Sequence, residues 1–292
     1  MQHVANSSLT FESAYLADYI AEIRGRRPMA HIRSLPTLDE LIGGVVPGIV
    51  TTVGAAPGAG KTTLLKMVSD DLASQGFPTI FYSAELPAFR IAQKGITRLG
   101  FGAFELSDIA DMDDENPAFE LARERYAEEI APNSCILDGE LSMENLGRCV
   151  GDCIHEREKT PVVFIDYLQL VAISAFPVCS DERTAITSCV RALGNIAKNY
   201  DVPVFVLSSV QRNKYDDPSI GLDVFAGSQG IDYGIDNGLY LHIDGRDKEE
   251  RRLNSERDVR PVTIRALKAR YGTLGSVQLT FDAPHATFHD RG

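Results

Sequence analysis

One stretch limits what this chain can become: Val50-Thr-Thr-Val-Gly-Ala-Ala-Pro-Gly-Ala-Gly-Lys-Thr-Thr-Leu-Leu65. The β-branched run from Ile49 to Val53 predicts a buried strand, Gly54, Gly58 and Gly60 free the backbone, and a helical pattern starts at Lys61. Strand, glycine-rich turn, Lys-Thr and helix in that order describe a phosphate-binding loop, with Ala56, Pro57, Gly58, Ala59, Gly60, Lys61, Thr62 and Thr63 around the anion. Backbone amides at a helix N-terminus meet a triphosphate with partial positive charge. Lys61 adds a full charge, and the Thr62 hydroxyl can ligate Mg²⁺. Ala55 stands where the G-x-x-x-x-G-K-[ST] pattern has its first glycine, a departure of one methyl group.

Carboxylates follow at the spacing such a loop needs. Thr79 to Ser83 predicts a second strand, leading through Glu85 to Pro87, which suits the first turn of a helix with Arg90, Lys94 and Arg98 on its exposed side. Glu85 thus falls at the carboxyl end of a strand, where α/β sheets place ligands. It can orient and deprotonate an attacking water, or satisfy backbone amides at a helix start. Pro161-Val-Val-Phe-Ile-Asp166 describes a fully buried strand with Asp166 at its tip, the arrangement that holds Mg²⁺ through water.

The rest of the chain supplies alternating helix and strand. Thr184 to Tyr200 predicts an amphipathic helix and Val202 to Leu207 a buried strand, so the first half reads as parallel βαβ units in a doubly wound sheet. The later strands, Gly238 to Ile243, Val262 to Leu267 and Val277 to Phe281, suggest an antiparallel extension, and the charge run Asp244 to Arg260 between them a mobile solvated loop. Ser107 to Glu129 is acidic and helix-forming, without the alternating spacing of a calcium loop. Phe11 to Arg24 is an amphipathic helix candidate that either folds back on its own domain or docks on another subunit, its aromatics favouring an interface.

Bulk properties narrow the class. The 292 residues suit one large domain or a domain with an extension, and 44% hydrophobic and 24% charged residues are ordinary for a soluble protein. A polar N-terminus without an apolar signal core, and no stretch of membrane-span length, point to a cytoplasmic protein with no membrane partner. The net charge of −12 opposes general attraction to nucleic-acid phosphate, so any such contact needs a local basic patch. Five cysteines in no framework spacing suit a reducing compartment. Cys149 and Cys153 share helical spacing with Leu146, Val150 and Ile154, which puts them on a core face rather than on a metal.

From about Ser34 to Phe288 these motifs resemble the RecA-like ATPase domain of the DnaB family of replicative hexameric helicases. The loop from Gly54 is similar to the family's variant, which also has alanine at the position of Ala55. Phe81-Tyr-Ser-Ala-Glu-Leu-Pro87 resembles its catalytic-glutamate segment, and Ile165-Asp-Tyr-Leu-Gln-Leu170 its Walker B strand. Gly227-Ser-Gln-Gly-Ile-Asp232 with Asp236, and Lys268-Ala-Arg-Tyr-Gly272 before Gly275, are similar to its closing segments. The resemblance implies a RecA-like P-loop fold: a mostly parallel doubly wound sheet with an antiparallel C-terminal hairpin extension. Residues 1–33 would be a linker-type helix and 34–292 the motor domain. It implies ATP and Mg²⁺, with catalytic roles for Lys61 and Glu85 and a metal shell of Thr62 and Asp166. Lys268 and Arg270 would share a strand face and enter a neighbour's site as fingers in trans.

The implied partners are further copies of the chain in a ring, hexameric in the family, single-stranded DNA, and a replication initiator, loader or primase. Arg183, Arg212 and Lys214 are the candidate DNA contacts, in loops that are only weakly basic. The family's glutamine after the fourth strand is replaced by Ser209, with Gln211 following, and the family's large N-terminal domain is not seen. An oligomeric ATPase switch without unwinding activity remains the alternative.

Overall fold

The computed structural model describes residues 28–112, 116–140, 142–179, 181–211, 220–225 and 234–291, together with Leu16. Among them, strands β1 (Val50–Ala55), β2 (Thr79–Ser83), β3 (Ser134–Asp138), β4 (Val162–Asp166), β5 (Val204–Ser209), β6 (Asn237–Ile243), β7 (Val259–Lys268), β8 (Ser276–Asp282) and β9 (Thr287–Asp290) form one sheet. Its order is β3-β2-β4-β5-β1-β6-β7-β8-β9. From β3 to β6 all neighbours are parallel, and β7, β8 and β9 add antiparallel. The helices are α1 (Pro36–Ile42), α2 (Lys61–Ser74), α3 (Ala88–Leu99), α4 (Pro117–Arg125), α5 (Met143–Arg157), α6 (Leu168–Ala175), α7 (Glu182–Tyr200) and α8 (Lys248–Ser255).

Period-two alternation of apolar residues sorts the strands onto two covered faces. Phe81, Phe164 and Phe205 stack across β2, β4 and β5 with ring centroids 6.1 and 5.3 Å apart, under Leu64, Leu65, Val68 and Leu72 of α2. Their sequence neighbours Ile80, Tyr82, Val163, Ile165, Val204 and Val206 turn to the opposite face. There Leu146 and Val150 of α5, Leu168 and Val171 of α6, and Ile186, Cys189 and Leu193 of α7 cover them. Every residue of β2 and β4 is buried, as expected of parallel strands with helices on both sides. Cys153 and Ile154 pack at the margin of that second core, on the face the helical spacing predicts.

The second half differs from the sequence-based expectation in three places. β6 joins β1 in parallel rather than starting the antiparallel extension, which begins with β7. The charge run is not a loop: Lys248–Ser255 is helical, its N-terminus capped by the Asp247 side chain accepting from the Glu250 amide at 2.8 Å. Arg252 pairs with Glu249 and Glu256 at helical spacing, which explains how so charged a stretch holds a helix. The strand carrying Lys268 ends at that residue, so Arg270 lies in the loop between β7 and β8 and the two do not share a strand face. Strand β3, a half-buried edge strand beside β2, announces itself only by the three-residue apolar run Cys135-Ile136-Leu137.

Candidate active site

The phosphate loop runs from the last residue of β1 to the first of α2. Gly58 and Gly60 take φ of +81° and +89°, the left-handed region that side chains resist. Gly60 has a second reason: a Cβ there would meet the rings of Phe281 and Phe288 at 2.8 Å. Gly54 is a glycine for packing alone, since its Cβ would lie 2.7 Å from Phe225. Ala55 needs no special backbone. It is a regular strand residue, paired with Ser209 and Leu241, and its methyl belongs to the core under α2.

The tips of β1, β2 and β4 converge on one cavity of about 530 Å³. Pro57, Gly58, Gly60, Lys61, Thr62 and Thr63 line it from the loop. Ala59 is fully buried beneath the loop, and its amide donates to the Ala56 carbonyl at 3.4 Å. Lys61 Nζ donates to the Ala55 carbonyl at 3.1 Å, and burial lowers its pKa against the opposing charges of Asp166 and Glu85. Thr62 Oγ1 donates to Asp166 Oδ2 at 2.7 Å, joining the loop to the tip of β4. Asp166 Oδ1 is buried with no hydrogen-bond partner among the described residues, and burial pushes the carboxyl up to about 6. A hydroxyl and an orphaned carboxylate oxygen are the hard donors that fit Mg²⁺ bound directly and through water.

Glu85 is exposed and lines the same cavity. Its turn is built by two bonds: the Ala84 amide donates to the Asp166 carbonyl at 2.7 Å, and the Leu86 amide to Ser83 Oγ at 3.1 Å. The next helix begins at Ala88, whose amide donates to Asp138 Oδ2 at the tip of β3 at 2.7 Å.

Sequence reasoning misjudged α3. Arg90 is exposed, but Lys94 turns inward, lines the cavity and donates from Nζ to Thr63 Oγ1 at 3.3 Å. Arg98 is tied to Asp70 and to the Ala286 carbonyl. Arg260 was also missed within the charge run: its NH1 donates to the Gly58 carbonyl at 2.6 Å. Only a residue count along α3 from Glu85 hinted at Lys94, and nothing local hinted at Arg260. Ser209 lines the cavity, whereas Gln211 donates to the carbonyls of Asp223 and Phe225 instead.

The finger candidates stand apart from this cavity. Arg270 NH1 pairs with Asp236 Oδ1 at 2.8 Å, and the two line a separate cavity of about 220 Å³ with Arg191 and Lys198. Lys268 closes β7 opposite Gly238. Arg183 is exposed in the first turn of α7. Arg212, Lys214, the segment 227–232 and the Phe11 to Arg24 helix, of which Leu16 alone is placed, lie outside the described residues.

Residues 33–290 match the family described as DnaB-like helicase C terminal domain. The chain belongs to that family. It is 29% identical over 264 residues to the replicative DNA helicase DnaB of Treponema pallidum, covering 87% of this chain and 54% of that protein. A probable replicative DNA helicase of Trieres chinensis is 24% identical over 267 residues, covering 87% and 55%. The chain thus spans about half the length of the curated relatives it matches. Among solved structures, one described as an ATPase domain superposes with a TM-score of 0.79 at 19% identity, over 98% of this chain and 100% of that one. A DnaB-like replicative helicase described with its interactions with primase gives 0.78 at 20%, over 98% and 68%. The fold of the DnaB-like chain is therefore that of helicase ATPase domains: a mixed α/β sheet, mostly parallel, closed by antiparallel C-terminal strands. Among the described residues, no helix is long and apolar enough to cross a membrane.

Proposed function

We propose that this chain is the ATP-hydrolysing motor of a DnaB-type helicase, working as a ring of copies that moves on single-stranded DNA. What carries the reading is one cavity at the ends of parallel strands that collects Lys61, Thr62, Glu85 and Lys94, with Asp166 bonded to Thr62 at its floor. Membership of the family supports it. Loop amides and Lys61 bind the triphosphate, and Thr62 with Asp166 would hold Mg²⁺, which when bound neutralises charge on the phosphates. Glu85 takes the proton from the attacking water, and Lys94 stabilises charge developing on the transferring group. Lys268 and Arg270, lying outside their own chain's cavity, complete the site of a neighbour. Residues 1–33 supply the linker to that neighbour and 34–292 the motor; Arg183, Arg212 and Lys214 contact the strand, and an initiator, loader or primase is the further partner.

Replacing Glu85→Gln should leave ATP binding intact and cut turnover by about 10²–10⁴-fold. Preserved turnover would remove Glu85 from its role. ATP turnover indifferent to single-stranded DNA, with no strand displacement at low salt, would put a switch ahead of a motor.

A further inference from the structure

We propose that Cys135, with Cys149 and Cys153, forms a modification site: a dithiol that closes into a disulfide between β3 and α5 on exchange with a low-molecular-weight disulfide. The three thiols line one cavity of about 310 Å³. It lies at the amino ends of β2 and β3, where Thr79 and Ser134 also line it, at the other end of the sheet from the phosphate loop. The proposal therefore stands independently of the nucleotide site. Alternation along β3 brings the thiols together. Ile136 packs against the core under α2 and Leu137 against the core under α5, so Cys135, two residues before Leu137, shares the α5 face. Cys149 and Cys153 lie one turn apart on α5, and Cys153 packs against that same core.

Helix geometry names the obligatory partner. Residues i and i+4 hold their Cβ atoms about 5–6 Å apart, and a disulfide needs about 3.5–4.5 Å, so Cys149 and Cys153 cannot bond each other without distorting α5. Any bond within the cavity therefore includes Cys135. Entry is open, because β3 is the last strand of the sheet and Cys135 is exposed. Burial holds the Cys135 thiol above its ordinary range, with Cys149 adding to the effect. Burial and then Cys135 do the same to Cys153, with Arg157 opposing and Glu156 assisting, and Asp152 lines the cavity beside them. The resting site is thus a set of protonated thiols that exchanges slowly at neutral pH and faster as alkali supplies thiolate. In the first step the Cys135 thiolate attacks one sulfur of the reagent and expels the other as a thiolate. An α5 thiolate then attacks the Cys135 sulfur and expels the remaining half. One reagent disulfide is reduced to two thiols, two protein thiols are oxidised, and their protons pass to the expelled thiolates.

Oxidation of the full chain with oxidised glutathione at mildly alkaline pH tests this. The reduced wild type should lose two of its five thiols without retaining glutathione, and dithiothreitol should restore all five. Peptide mapping should join Cys135 to Cys149 or to Cys153. The rate of closure should rise about tenfold per pH unit while the thiols remain protonated, since thiolate is the attacking species. Cys135→Ser should form no disulfide within the chain, and the double variant Cys149→Ser with Cys153→Ser should stop at a glutathione adduct on Cys135. Five thiols left free in the wild type, an adduct that persists on its Cys135, or a bond that includes Cys179 or Cys189 would overturn the proposal. So would a cross-link between two chains, or a Cys149–Cys153 bond in Cys135→Ser. Thermal melts of the reduced variants check that they fold, and the wild-type map decides the matter where one does not.

Discussion

The two oxygens of the Asp166 carboxylate keep different company, one accepting from Thr62 at 2.7 Å and the other buried with no partner among the described residues. Burial, more than the nearby Glu85 charge, raises this acid from its ordinary 3.8 to about 6, against the pull of Thr62, Lys61 and Lys94. The folded chain therefore favours the protonated form. That contribution to stability is present below pH 3.8 and lost as pH rises toward about 6, above which the fold carries a poorly solvated charge. Metal-free Asp166→Asn should then be more stable than wild type at neutral pH. The gap should shrink toward pH 4 and also when Mg²⁺ is added to wild type. Thermal melts of both proteins across pH read this, and a gap independent of pH would contradict it. At the same scale, Lys61, Thr62 and Asp166 were legible because their types and order are dictated by phosphate chemistry. Gly54 was legible as a glycine but not for its reason, which is the ring of a distant Phe225.

Helix α2 shows how an element can be read correctly and its surroundings misjudged. Its apolar stripe announces one buried face, yet Lys66 and Asp70 are buried as well, at 0% and 3% exposure, because α3 and the β8–β9 turn cover the other side. Lys66 Nζ bonds Asp70 and, at 3.1 Å, the Tyr126 hydroxyl, while Arg98 of α3 reaches both Asp70 and the Ala286 carbonyl. The helix bearing Thr62 is thereby tied to the helix that follows Glu85. In sequence the pair is an ordinary i,i+4 surface bridge, since which side a neighbour will cover is not written locally. Asp70→Ala should strand a buried ammonium and cost about 3–5 kcal/mol in urea unfolding. Adding Lys66→Met should recover much of that loss. A cost under about 1 kcal/mol would mean that water reaches the site.

For the whole molecule, the decisive arrangement is that Arg270 lines a cavity other than the one that holds Lys61 and Glu85. Arg270 is held by Asp236, whose other oxygen accepts from the Val50 amide at 2.9 Å, and the Thr273 amide donates to the Leu41 carbonyl at 3.0 Å. A Cβ on Gly272 would sit 2.1 Å from that same carbonyl, so the loop is seated too closely on α1 to swing into its own site. Mixing Arg270→Ala with Lys61→Ala chains should therefore restore part of the ATP turnover that each lacks alone, an arginine finger being worth about 10³–10⁵ in rate. Assembled mixtures with no recovery would rule out shared sites.

Residue order by itself determined the phosphate loop, the places of Glu85 and Asp166 at strand ends, the parallel βαβ half and the family, because each rests on local chemistry or on a short hydrophobic period. Tertiary structure alone decided that β6 runs parallel, that Lys94 and Arg260 face the cavity, and that Lys66 is buried. Those outcomes follow from which elements pack side by side, and a charged side chain reads the same in sequence whether water or another helix lies beyond it.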